Sequence, residues 1–413
     1  MATRQVRTRR VFYIPGYDPI HPRRYRELYR KEGAAQAVLR GYDIALKPRK
    51  GARYGWSVDA RIEGAETRAE VEVLVWSDIV RESMGAGIVQ TYTQMLQTAS
   101  TYIGTGALAR LFRLRKGPVI AALYPVAALL LQLLAAIVVG WLASGLSATA
   151  LAMIGTPPLL SGLAAGIVFC VVALISLRWF KRHDGKFFAY YLMHDYAFSA
   201  RWGGANPEAL EVRMSEFGQA IASALAEDVD EVLVVGHSSG AHLGVSVLAD
   251  LIRAGKVPAN GPRLSFLSLG QVVPMMSFLP KAHRLRSDLR LLGGTTALDW
   301  VDVTAPGDGC AFALCDPVAV TGVAGPDRTG PLVLSAAFTQ TLRPETWNAL
   351  RWRFFRVHFQ YLCAFDNLPD ASDAYDYFAV TAGPQTLGER FETRRPSGSL
   401  IDRPLSRYTS TAA

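Results

Sequence analysis

The stretch EVLVVGHSSGAHLGVSVLADL, residues 231–251, decides how the rest of the chain is read. VLVV is an unbroken apolar run, the pattern of a strand buried on both faces of a parallel sheet. From Ser239 to about Ala254 the spacing turns helical. Between the two lies Gly236-His237-Ser238-Ser239-Gly240, a GxSxG pattern. A strand that passes straight into a helix must turn within very few residues, and small neighbours permit that turn. Only Ser238 is centred between the glycines, where the turn strains its backbone and pushes its oxygen outward. Gly240, Ala241 and Gly244 give the helix a small-residue face for close packing on the sheet.

Working outward, strands and helices alternate. RVFYIPGY (10–17) reads as a strand closed by Pro15 and Gly16, and a helix is expected from 23 to about 39. Residues 54–78 alternate apolar and polar on both sides of EGAE, which predicts a hairpin whose stronger arm is 69–76. Residues 81–108 and 207–228 read as helical, and RLSFLSLGQVVP (263–274) and LDWVDVTAPGDG (298–309) as further strands. This alternation predicts an α/β fold with a mostly parallel sheet and helices on both faces.

A different pattern interrupts it. From Gly117 to Leu177 the chain has no Asp, Glu, Lys, Arg or His, and a charge-free run of that length exceeds two spans of about 20 residues each. The expected spans are 119–143 and 159–177, with Gly155, Pro157 and Pro158 at the turn. Pro125 falls inside the first, where membrane helices tolerate it. Arg110, Arg113, Arg115 and Lys116 precede the hairpin, and Arg178, Lys181, Arg182 and Lys186 follow it. That bias predicts a two-pass membrane protein with both termini and the larger part cytoplasmic. Trp141 and Trp179 suit interfacial anchors. The organisation expected is therefore 1–116, a transmembrane hairpin 117–177, 178–392, and a mobile basic tail 393–413.

The chain has 413 residues, half of them hydrophobic, and a formal charge of +9. Its mean hydropathy is +0.16, which fits partial contact with lipid. The basic surplus sits at the spans and the ends, where anionic headgroups explain it, and no nucleic-acid motif is present. MATRQVRTRR leads into a β-like run and not an apolar signal region, so no cleaved signal is expected. Cys170, Cys310, Cys315 and Cys363 lack CxxC spacing, so neither a disulfide framework nor a zinc site is expected.

The strand, GxSxG turn and helix, with the order of residues after them, resemble the α/β-hydrolase superfamily, and within it the lipase and esterase branch. The likeness covers the chain outside the membrane insertion, at the level of motif order. It implies a nucleophile, acid, histidine order. Ser238 is then the nucleophile and His358, in FFRVHFQYL, the base. The acid is Asp308, four residues past the strand in a Pro-Gly turn that can aim a carboxylate inward, with Asp316, stiffened by Pro317, as the alternative; Asp302, inside a strand, is the weakest choice. The oxyanion hole would use the Ser239 N–H and a loop beginning at Gly16, through the Tyr17 or Asp18 N–H, with Pro15 replacing the usual histidine. His237, beside the serine, and His242, on the helix behind it, are not expected to reach Ser238. The implied function is a membrane-anchored serine hydrolase acting on an acyl ester, lipid or amphiphilic, at the lipid bilayer, with no cofactor and no metal. Its competitors are a non-catalytic membrane scaffold with the same shell, and an acyltransferase using the same residues.

Overall fold

The computed structural model describes residues 5–49, 51, 53–85 and 87–412. The chain divides into two compact units. The first comprises Met1–Glu82, Tyr102–Pro118 and Trp202–Ala413, and the second Ser83–Thr101 and Val119–Arg201.

The first unit is built on an eight-stranded sheet. Its strands are β1 (Thr8–Ile14), β2 (Asp43–Pro48), β3 (Gly55–Ile62), β4 (Ala65–Val73), β5 (Glu231–His237), β6 (Arg263–Leu269), β7 (Asp299–Thr304) and β8 (Leu332–Ser335). They lie in the order β2-β3-β4-β1-β5-β6-β7-β8. β4, β1 and β5 to β8 run parallel, while β3 is antiparallel to both its neighbours. The sheet is thus mixed and mostly parallel.

Each strand of the parallel part presents alternate residues to two apolar layers. Val11, Tyr13, Leu233, Val235, Leu267 and Leu269 share one cluster with Tyr25 and Tyr29 of the helix Arg23–Arg40 and with Tyr377 and Phe378 of the helix Tyr377–Ala382. On the other side the helix Gly240–Arg253 lies so close that a Cβ on Gly244 would come within 2.7 Å of Phe266. β5 is buried along its whole length, as its unbroken apolar run requires.

The amino ends of the central strands are tied by a buried ion pair. Arg9 on β1 and Glu231 on β5 meet at 2.5 Å with both side chains fully buried. Arg9 also donates to the carbonyls of Gly383 and Gln385. Glu231 accepts from Ser265 of β6 at 2.6 Å and from the Leu387 N–H at 2.8 Å. Every hydrogen-bonding group of the pair has a partner, which offsets the heavy desolvation cost of burying charge.

At the carboxyl ends the strand order reverses. After β1 the chain builds β2, β3 and β4 on one side of it, and only later β5 to β8 on the other. In open α/β sheets the crevice at such a reversal, outside the carboxyl ends, is where ligands bind. Here it lies between β1 and β5.

The second unit holds two helices long and apolar enough to cross a membrane, Lys116–Met153 and Pro158–Arg182, each with a mean hydropathy of 2.5 over its most apolar stretch. Leu131, Leu142, Leu146, Ile167 and Ile175 on them are exposed. The inserted unit is wider than the expected hairpin 117–177. Met95, Leu129, Ala189, Tyr190, Met193 and Ala197 form its own buried cluster, and the Tyr92 hydroxyl donates to the Leu129 carbonyl at 2.9 Å.

Three further differences have local causes. β2 was not expected, because its apolar run, Ile44 to Leu46, is only three residues long, is flanked by Asp43, Lys47 and Pro48, and is at most half-buried at the sheet edge. β8, of four residues, is too short to show periodicity. The tail expected to be mobile is instead held by backbone bonds to β8 at the sheet edge, to the loop after β7 and to the helix Pro317–Thr321. Ser397 donates to Val333 of β8, Ile401 to Leu314, and Leu405 to Val320, contacts that a polar, Pro-interrupted composition does not announce.

Removing one partner of the Arg9–Glu231 pair leaves an uncompensated buried charge. Glu231→Gln is expected to cost about 3–5 kcal/mol, read as a markedly lower thermal midpoint of the detergent-solubilised protein. An unchanged midpoint would show that the pair does not hold the strands.

Candidate active site

β5 ends at His237 and the next helix begins at Gly240, so two residues make the turn. Ser238 takes φ +56°, in the left-handed region that a side chain disfavours, at a cost of order 1–3 kcal/mol. The turn is anchored by the Ser238 N–H, which donates to the Leu269 carbonyl at the end of β6 (2.9 Å). Two glycines let neighbouring backbone close on it. A Cβ on Gly240 would lie 2.1 Å from the Ile14 carbonyl oxygen, and one on Gly16 would lie 2.9 Å from Ser238 Cβ and 3.3 Å from its Oγ. The Pro15–Gly16 loop at the end of β1 therefore rests on the serine.

That loop is held from behind. The indole N–H of Trp76, just past β4, donates to the Pro15 carbonyl at 2.9 Å. The Asp18 carboxylate accepts from the Ile20 N–H at 2.9 Å and from the Tyr25 hydroxyl at 2.8 Å. Tyr17 is buried and packs edge-on against Trp76.

The two acid candidates separate cleanly. Asp308 Oδ2 accepts from His358 Nδ1 at 2.7 Å and from the Tyr361 hydroxyl at 3.0 Å, while its Oδ1 accepts from the Cys310 N–H at 2.9 Å. Asp316 is the N-cap of the short helix Pro317–Thr321, accepting from the N–H groups of Val318 and Ala319 at 2.8 and 3.0 Å, and it pairs with Arg328. The alternative acid is thus corrected: the Asp316 carboxylate is committed to a helix end and does not bond His358. Asp302 stays inside β7, where it accepts from the Ser268 hydroxyl and burial lifts its pKa to about 8.

His358 sits at the end of the short helix Phe354–His358 and is positioned by Gly270 and Tyr361, which the sequence pattern did not single out, and by His237, which it weighed only as a base. Gly270, just past β6, has φ +53°, and a Cβ there would lie 3.1 Å from His358 Cε1 and 2.7 Å from the Tyr361 ring. His237 donates its Nε2–H to the His358 carbonyl at 2.9 Å. Its ring lies 4.8 Å from that of His358, centre to centre. A histidine ending an apolar strand was the available signal for His237, and the spacing of Tyr361 from His358, under one helical turn, was the signal for the tyrosine.

The site thus brings together Gly16, Ser238, His358 and Asp308 along the carboxyl edge of β1, β5, β6 and β7. Among the described residues no hydrogen bond joins Ser238 Oγ to His358. Such bonds are often open without substrate and tighten in the reacting complex. One metal-capable group occurs among the described residues: donor atoms of Asp308, Cys310 and His358 lie within 4.8 Å of one another.

Burial keeps both elbow histidines neutral, pushing His237 down to about 3 and His242 down to about 4. His242 Nδ1 is buried without a hydrogen-bond partner. An unfolded histidine titrates near pH 6.5, so the unfolded chain binds these protons first. Stability is whole above about pH 6.5 and falls as the pH drops toward 4, by up to about 1.4 kcal/mol per pH unit for each histidine. His242→Leu is expected to flatten that fall by one proton between pH 6.5 and 4.5 in thermal melts. An unaltered slope would contradict a neutral His242.

The comparisons with known proteins bring no relative to set beside this geometry: no family model, no curated protein and no solved structure matches the chain.

Proposed function

We propose that this chain is a membrane-anchored serine hydrolase of the α/β-hydrolase type, cleaving an acyl ester through Ser238, His358 and Asp308. The observation that carries the reading is the 2.7 Å bond from His358 to Asp308, on the same sheet edge as a serine held at φ +56°.

Asp308 fixes His358 with its proton on Nδ1, which leaves Nε2 as the acceptor facing the reaction. His358 Nε2 takes the Ser238 proton as Oγ bonds the acyl carbon. The oxyanion is held by the Ser239 N–H and by an N–H of the Gly16–Tyr17–Asp18 segment. Collapse breaks the bond to the alcohol, which leaves with the proton from Nε2. Water then repeats the sequence and frees the acid and the serine. The Cys310 N–H and the Tyr361 O–H hold the Asp308 carboxylate aimed at His358.

We read the two apolar helices as membrane spans with both flanks cytoplasmic, on the strength of the Arg and Lys residues on either side. Tethering to a bilayer favours lipid or amphiphilic esters over small soluble ones. A second reading, a shell without activity, draws on the absence, among the described residues, of a hydrogen bond between Ser238 Oγ and His358.

A fluorophosphonate probe should label the solubilised wild-type protein and not Ser238→Ala. Ester turnover should fall by about 10⁴-fold or more in Ser238→Ala, by about 10²–10⁴-fold in Asp308→Asn, and only a few-fold in Ser239→Ala. Rates should rise with acyl chain length. Equal labelling of wild type and Ser238→Ala, or none of either, would overturn the hydrolase reading.

A further inference from the structure

We propose that Asp308, Cys310 and His358 form a binding site for a soft divalent cation, with zinc the best fit, and that its occupancy switches the catalytic residues off. The binding half stands on geometry alone; the switching half rests on His358 being the general base.

The three residues come from two segments some 50 positions apart, so no local spacing in the sequence reveals them. Each offers a donor, a carboxylate oxygen, a thiol sulfur and a ring nitrogen, all within 4.8 Å. The arrangement is built and not incidental. Asp308 donates its N–H to the Ala305 carbonyl at 2.9 Å, and its carboxylate accepts the Cys310 N–H at 2.9 Å. This turn brings the two side chains to one side, where His358 already meets Asp308. Around a tetrahedral zinc, with ligand bonds of about 2.0–2.3 Å, donors stand roughly 3.3–3.8 Å apart. The three donors, at up to 4.8 Å, stand wider than this, and the proposed ion would draw them together.

The chemistry matches as well. One thiolate, one imidazole and one carboxylate with a fourth position left for water is a set that suits zinc and excludes magnesium or calcium, which want oxygen throughout. An ionised carboxylate has about four lone-pair directions, and the hydrogen bonds from His358, Tyr361 and Cys310 use three. Asp308 and His358 are buried while Cys310 is half-buried and in no disulfide, so the ion enters past the thiol.

The consequence for catalysis follows from proton counting. The ion binds the Cys310 sulfur and His358 Nδ1. The thiol proton leaves to solvent, and the proton displaced from Nδ1 moves to Nε2. One proton is released per ion, no group is oxidised or reduced, and the charge change is carried by the metal. With Nε2 protonated, His358 has no lone pair for the Ser238 proton, and hydrolysis stops until the ion is removed.

The test uses the full chain in detergent, with Co²⁺ as a spectroscopic stand-in for zinc. We expect a thiolate-to-cobalt charge-transfer absorption that saturates at one ion per chain, is displaced by Zn²⁺, and is absent in both Cys310→Ser and Cys310→Ala. Zn²⁺ should inhibit ester hydrolysis, a chelator should restore it, and the inhibiting concentration should rise at least about tenfold in Cys310→Ala, judged against that variant's own uninhibited rate. Absence of the thiolate band in the wild-type protein would overturn the site. Equal zinc inhibition of wild type and Cys310→Ala would overturn the switch. A saturable thiolate band in a protein that hydrolyses no ester would uphold the site and dismiss the hydrolase reading on which the switch rests.

Discussion

The close approach of β1 and β5 at their carboxyl ends is the constraint on which the site depends. With no Cβ on Gly240, the Ile14 carbonyl sits within 2.1 Å of where one would be, so strand β1 and the helix after β5 share a space that no larger residue allows. That contact fixes the height of the Pro15–Gly16 loop over Ser238. It also requires the serine to turn within two residues, and hence its left-handed backbone. The strain there is small beside the burial of an entire central strand, so the fold can hold it.

Around this contact the molecule is arranged in opposing sets of polar bonds. At the amino ends of the strands, Arg9 and Glu231 lock β1 to β5 from below with fully buried charge. At the carboxyl ends, Trp76 fixes the loop through the Pro15 carbonyl, and His237 fixes the opposite wall through the His358 carbonyl. Neither Trp76 nor His237 needs to touch a reactant to matter. Each sets where a backbone segment lies, so their substitution would act through position and not through chemistry.

Much of the architecture was legible because it rests on patterns of one physical kind. A strand buried on both faces must be apolar throughout, a helix apolar enough to cross a membrane must exclude charge, and a tight strand-to-helix turn must carry glycine; β5, the two long apolar helices and the Ser238 turn all announced themselves so. The pairing of His358 with Asp308 was reachable only through motif order, and the preference for Asp308 over Asp316 only through its place in a Pro-Gly turn just past the strand. Asp-Pro at a helix start and Asp-Gly in a turn look alike until one sees which carboxylate caps a helix. β2 and β8 both lacked signal because their apolar runs, Ile44 to Leu46 and Leu332 to Leu334, are too short to show an alternation. The supporting roles of Gly270, Tyr361 and Trp76 depend on contacts across about 50 to 90 residues, which periodicity never records. The ordering of the C-terminal segment is likewise a matter of backbone bonds to Leu314, Val320 and Val333.

If Ser238, His358 and Asp308 act as a unit, their losses cannot multiply. The most direct measurement is therefore the ester hydrolysis rate of Ser238→Ala, of His358→Ala and of the double variant, each with its thermal midpoint to verify folding. The double variant should be no slower than either single one, all three retaining only the residual rate of substrate binding and the oxyanion donors. Multiplying losses, or a His358→Ala protein that works at the wild-type rate, would contradict a joint catalytic role.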